Sequence, residues 1–125
     1  MVLNNYYVYK NVIYSFDFNA SFGNCIVYGI IEDEIYIDKE GDGTFNGVFI
    51  NSLLKTDMFS GDGSENNVFN KDPRFVDIPD NNFAIDSLSP AKDIGNIEIA
   101  RLFPFDLNNK SRLEDTGPDL GAYEW

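Results

Sequence analysis

Apolar residues in this chain come in short runs, each cut off after three or four positions. Ile26-Val27-Tyr28 and Ile35-Tyr36-Ile37 are β-branched and aromatic, bounded by Gly or acidic residues, and read as strands. Before residue 85 Gly, Asn and Asp interrupt every apolar run, so no helical period develops. From about residue 60 the pattern changes. Ser60-Gly61-Asp62-Gly63-Ser64-Glu65-Asn66-Asn67 is a polar loop that is expected to leave the regular structure. Asn82-Phe83-Ala84-Ile85 reads as one more short strand. Ser89-Pro90-Ala91 predicts a helix start, with Ser89 as N-cap, Pro90 at the first helical position and Gly95 as the stop.

One stretch recurs. Phe18-Asn19-Ala20-Ser21-Phe22-Gly23-Asn24-Cys25-Ile26-Val27 aligns without a gap onto Phe45-Asn46-Gly47-Val48-Phe49-Ile50-Asn51-Ser52-Leu53-Leu54, an offset of 27 residues. Repeats of this length imply stacked units, each burying its apolar face against the next. Phe22 and Phe49 then point inward and stack on one another. Asn24 and Asn51 sit where the chain bends, since Asn tolerates unusual backbone angles, and their amides are expected to form a ladder. Cys25 matches Ser52, so the position wants a small side chain and the thiol is structural.

Three landmarks follow in order: Asp72-Pro73-Arg74-Phe75-Val76-Asp77, Ser89-Pro90-Ala91-Lys92-Asp93-Ile94-Gly95, and Asp119-Leu120-Gly121-Ala122-Tyr123-Glu124. Together they resemble the C-terminal end of secreted, pectate-lyase-like right-handed parallel β-helix proteins of Bacteroidetes-type bacteria, which carry "DPxF", "SPAxDxG" and "DxGAYE". The resemblance implies an all-β fold, a right-handed parallel β-helix with an irregular C-terminal cap. Residues 1–60 would be terminal coils and residues 61–125 the cap that covers the open end. It also implies a secreted or cell-surface setting and a role in carbohydrate handling. Arg74 and Lys92 stand where relatives often have an aliphatic residue, and Asp106-Leu107-Asn108-Asn109-Lys110-Ser111-Arg112 is a loosened "DLDGxxR".

Composition narrows the partners. The 125 residues suit one domain, and 43% hydrophobic content, with eleven Phe and seven Tyr, supplies a core. Twenty-one acidic against nine basic residues leave a net charge of −12, which repels phosphate backbones and anionic membranes. Nucleic acid and membrane insertion are therefore not expected. A lone Cys25 gives no internal disulfide or thiolate metal cluster. The first residues lack the basic and apolar regions of a secretory signal, so the chain is expected to be a piece of a longer secreted protein. An open N-terminal edge beginning at Tyr6-Tyr7-Val8 is expected to pair with a neighbour or a second copy.

Catalytic signals are thin. Asp38-Lys39-Glu40-Gly41-Asp42-Gly43-Thr44 resembles the start of a calcium loop, but Phe49 stands at the place of the closing Glu, so no metal is assigned to Asp38, Glu40 and Asp42. The absence of His removes the common nucleophile–base pairs and most zinc sites. Related lyases use Lys or Arg bases, whereas Lys10, Lys39, Lys55, Lys71, Arg74, Lys92, Arg101, Lys110 and Arg112 are scattered. No catalytic, cofactor-binding or metal residue is assigned. The expectation is a non-catalytic, carbohydrate-associated segment. The alternatives are a lyase or hydrolase fragment whose site lies in preceding coils, or a glycan-binding module using Tyr6, Tyr7, Tyr9 and Tyr14.

Overall fold

Three parallel ladders, built from strands far apart in the chain, organise the molecule. A computed structural model describes residues 1–58 and 66–125. The strands are β1 (Val2–Asn4), β2 (Tyr6–Tyr9), β3 (Val12–Ser15), β4 (Phe18–Gly23), β5 (Ile26–Val27) and β6 (Tyr36–Asp38). There follow β7 (Phe45–Ile50), β8 (Leu53–Leu54), β9 (Val68–Phe69), β10 (Phe75–Asp77) and β11 (Asn82–Ile85), and one helix, α1 (Ile97–Leu102). The chain is mostly short strands with little helix, as an all-β reading requires.

The repeat is a pairing register. Strand β4 runs parallel to β7 with Phe18 beside Phe45 and Phe22 beside Phe49, the offset of 27 that the sequence shows. Strand β5 continues the same register onto β8, Ile26 beside Leu53. The stacked rings follow: Phe18 and Phe45 lie 4.6 Å apart and Phe22 and Phe49 lie 4.8 Å apart. With Leu3, Ile35 and Leu54 they make the inner core. Such aromatic pairs add roughly 0.5–1.5 kcal/mol each beyond the area they bury.

Asn24 and Asn51 do turn the chain, at φ of 54° and 45°. Asn66 repeats them at 58°, two residues before β9 pairs with β8, so a third strand joins the column. The side chains one position on tie these strands together. Ser52 Oγ accepts from the Cys25 N–H (3.1 Å), and Asn67 Oδ1 accepts from the Ser52 N–H (2.7 Å). Cys25 Sγ and Ser52 Oγ both donate to the carbonyl two residues back, at 3.2 and 3.1 Å, which is why a small donor suits this place. Of the polar loop read over Ser60 to Asn67, Asn66 and Asn67 belong to the ladder, and residues 60–65 lie outside the described residues. The expected Asn–Asn amide ladder does not form, because both amides turn outward to the C-terminal segment.

That segment lies along the flank of the column. Leu53, on the outer side of the β5–β8–β9 sheet, joins Ile85, Ala91 and Leu120 in a second core, while its neighbour Leu54 faces the first. Both leucines are fully buried, because the sheet is covered on two sides. Asn51 Nδ2 donates to Ile94 O (2.9 Å), Asn24 Nδ2 to Asn96 O (3.0 Å), and Gly121 N to Asn24 O (2.8 Å). The segment therefore steps across the strands one after another.

The helix falls one motif later than predicted. Ser89 Oγ accepts from Ala91 N and donates to Pro73 O, but the chain leaves helical geometry at Asp93 (φ 58°). Asn96 is the true N-cap, accepting from the Glu98 and Ile99 N–H groups ahead of α1.

Candidate functional site

One exposed apolar feature is the hairpin of β2 and β3. Lys10 and Asn11 (φ 49° and 60°) form its two-residue turn, the geometry that matches strand twist. Tyr6-Tyr7-Val8 was expected to begin an open N-terminal edge; within the chain this strand pairs antiparallel with Val12–Ser15. The hairpin is an insertion. Leu3 pairs with Ile37 at an offset of 34, against 27 at Phe18 and Phe45, so the connection that holds the hairpin is seven residues longer.

Register decides which tyrosines meet. Tyr7 sits opposite Tyr14 and Tyr9 opposite Val12, and strand alternation puts these on one face. Tyr7 stacks on Tyr14 at 5.1 Å and on Phe16 at 5.6 Å, giving a row of three near-parallel rings. Lys10 Nζ lies 5.3 Å from the Tyr9 ring centre. All four rings are exposed, as are Val8 and Ile13 on the other face. Tyr6 departs from the set: its hydroxyl donates to Asp38 Oδ2 at 2.9 Å, and that bond, with burial and nearby carboxylates, pushes the phenol above its ordinary range. Phe16 was missed, because nothing in the sequence joins it to the tyrosines before the hairpin register is known.

The acidic turn is a braced corner. Buried Asn5 accepts from Glu40 N and donates to Phe16 O and Gly43 O. Asp17 Oδ1 accepts from both Thr44 N and Thr44 Oγ1 at 2.8 Å, and these bonds hold the Asp17 carboxyl below its ordinary range. Asp38, Glu40 and Asp42 do not converge on a common point, and no group of three His, Cys, Asp or Glu fit to hold a metal occurs among the described residues.

The basic residues remain dispersed, mostly in individual pairings. Arg74 pairs with Asp86 and Arg101 with Glu98, while Lys92 lies 3.9 Å from the Trp125 ring centre and Lys110 donates to Trp125 O. Cys25 lines a cavity of about 390 Å³ with Ile99, Phe103, Arg112 and Gly121. Burial raises its thiol pKa, the opposite of what a nucleophile needs.

In the last of the three landmarks the polar side chains are engaged with the surrounding segment, whereas the buried Asp93 Oδ1 of the second has no hydrogen-bond partner among the described residues. Asp119, fully buried, accepts from Asp93 N (2.7 Å) and Trp125 N (2.6 Å). Arg112 donates to Glu124 (2.6 Å), Gly121 O (2.9 Å) and Asp119 O (3.4 Å). Asp106 accepts from Asn108, Lys110 and Glu124 N–H groups. Burial alone would raise the Asp106 pKa, but these three donors, with Arg112 nearby, hold it below its ordinary range. Burial pushes Glu124 up, and the adjacent Asp119 carboxylate adds to this against the pull of Arg112. Gly95 and Gly121 permit close approaches in this segment: a Cβ on Gly95 would lie 2.7 Å from Pro118 O, and Gly121 adopts φ 91° against Ile26. Comparison with protein-family models, curated proteins and solved structures finds no match.

Proposed function

We propose that this chain is a terminal segment of a right-handed parallel β-helix, a non-catalytic scaffold associated with carbohydrate in a secreted or cell-envelope protein. The single observation that carries the reading is the 27-residue register running unbroken from Phe18/Phe45 to Val27/Leu54. Residues 1–60 supply the windings in this reading, and residues 61–125 secure their end and flank. The engagement of Asp119 and Glu124 in buried hydrogen bonds supports a holding role for the last landmark, not a reactive one.

The exposed Tyr7, Tyr9, Tyr14 and Phe16 favour a second reading, a glycan-binding module, because aromatic rings pack on the C–H faces of sugars. A screen of the purified chain against pectin, alginate, heparin and neutral plant glycans, with and without Ca²⁺, tests both. Retarded migration on a glycan without any release of reducing ends is the expected result. Turnover of one substrate, lost on a single side-chain change, would overturn the scaffold assignment.

A further inference from the structure

A second, more polar cavity breaks the repeat where the repeat is otherwise strictest. Across β5, β8 and β9 the paired positions keep their type: Ile26, Leu53 and Val68 in one column, Val27, Leu54 and Phe69 in the next. One residue further on, that economy fails. The equivalent places hold Tyr28, Lys55 and Asn70, a ring, an ammonium and an amide. These three, with Glu32 and Asp57, line a cavity of about 240 Å³.

The groups are held in place. Lys55 Nζ donates to Gly29 O at 2.8 Å and lies 5.0 Å from the Tyr28 ring centre. Asn70 Nδ2 donates to Asp57 Oδ1 at 2.7 Å, and Asn70 Oδ1 accepts from Thr56 N at 3.0 Å. Asp33 Oδ1 in turn accepts from Thr56 Oγ1 and Asp57 N, both at 2.9 Å, which fixes the Asp57 backbone. Successive strands stand about 4.8 Å apart, comparable to the span of one sugar ring. Donors and acceptors at that spacing, beside an aromatic edge, match the alternating hydroxyls of a pyranose. The volume lies below the range of roughly 300–1,000 Å³ typical of drug-sized sites, which limits the occupant to about one ring.

We propose that this cavity binds a single neutral sugar unit of a glycan chain, an inference that rests on the carbohydrate reading above and adds its site and ligand class. Neutrality follows from the lining: the two carboxylates of Glu32 and Asp57 outnumber the one Lys55 ammonium, which is held on Gly29 O and the Tyr28 ring. In a chain of net charge −12 they oppose a uronate or a sulfated ring.

Amide NMR titration of the 125-residue chain tests it, with cellobiose, lactose, mannobiose and chitobiose as probes and digalacturonate as the acidic comparison. Saturable shifts at Tyr28, Glu32, Lys55 and Asn70 with at least one neutral probe, and none with digalacturonate, are expected. Tyr28→Phe combined with Glu32→Gln should weaken that binding about tenfold, the effect of losing one or two hydrogen bonds to the ligand, with the thermal midpoint unchanged. Shifts confined to Tyr7, Tyr14 and Phe16 would overturn the cavity proposal while leaving the carbohydrate reading intact. A stronger response to digalacturonate would overturn the neutral class, and silence toward all five probes would overturn both proposals.

Discussion

The two cores of this protein are built on opposite principles. Around Phe49 and Leu54 the chain repeats itself, and stability comes from like stacked on like: rings on rings, backbone on backbone. Around Ala91 and Leu120 the column's Leu53 meets a segment that repeats nothing, and from residue 89 onward that segment is fixed by single, buried, charged contacts. A ladder spreads its energy over many equivalent contacts. A network of buried charges concentrates it, since each member removed leaves its partner unpaired in a low dielectric.

The largest effect should therefore come from the smaller set of contacts. Arg112→Ala leaves Glu124, almost fully buried, without its cation, and a loss of about 3–5 kcal/mol is expected. Trp125 fluorescence should report release of the segment at denaturant concentrations where the ladders survive. A single transition, with tryptophan and far-ultraviolet signals coincident, would show that the two cores unfold as one and dissolve the contrast.

Phe22→Ala strikes the ladder instead. The ring is only partly buried and its partner Phe49 keeps its other neighbours, so a loss of about 2–3 kcal/mol is expected, below the usual cost at a fully buried Phe. A loss exceeding that of Arg112→Ala in urea unfolding would reverse the ranking.

Asn51 joins the two regions, and its substitutions separate its two roles. Asn51→Gly keeps the φ of 45° and gives up only the bond to Ile94 O; Asn51→Ala also forces an L side chain into that region, adding roughly 1–2 kcal/mol. Equal costs for the two variants would mean that backbone strain contributes nothing there.

The smallest effects lie in pH dependence, where two buried carboxyls should pull in opposite directions. Glu124 titrates above its ordinary value of 4.5 in the folded protein, so its contribution is full below 4.5 and is lost as pH rises through the folded value. Asp106 titrates below 3.8, so its contribution is present above 3.8 and is lost as pH falls. Relative to Glu124→Gln the wild type should gain stability as pH falls toward 4.5. Relative to Asp106→Asn it should lose its advantage below 3.8. Urea midpoints measured from about pH 3 to 7 check both slopes, and parallel curves would remove the asymmetry.

The ladder was legible and the flank was not, for physical reasons. Phe18, Phe22 and Asn24 each recur after one period and Cys25 falls on the small Ser52, so alignment alone placed them. The third copy, Asn66-Asn67-Val68-Phe69, follows Leu53 after only fifteen residues and shares little beyond its Asn, so it passed for loop. The hairpin hid because its turn is Lys10-Asn11, without the glycine that usually marks such a turn. Ser89-Pro90 carries as good a helix-start pattern as any in the chain, yet Ser89 bonds to Pro73 and Asp93 breaks the run, leaving Asn96 to begin the helix. The cavity beside Tyr28 was invisible since its five residues come from four separate segments.

The C-terminal segment also works as a vernier. It meets Asn51 at Ile94 and Asn24 at Asn96, advancing two of its own residues for each strand of the column. Two extended residues span roughly 6.6 Å against a strand step of about 4.8 Å, so the slack at each step is small. A strand inserted between those two would put the later bonds to Asn24, from Asn96 and Gly121, out of phase. The two residues from Ile94 to Asn96 are thus matched to one strand step, and an added strand at that place would call for about two added residues in the segment.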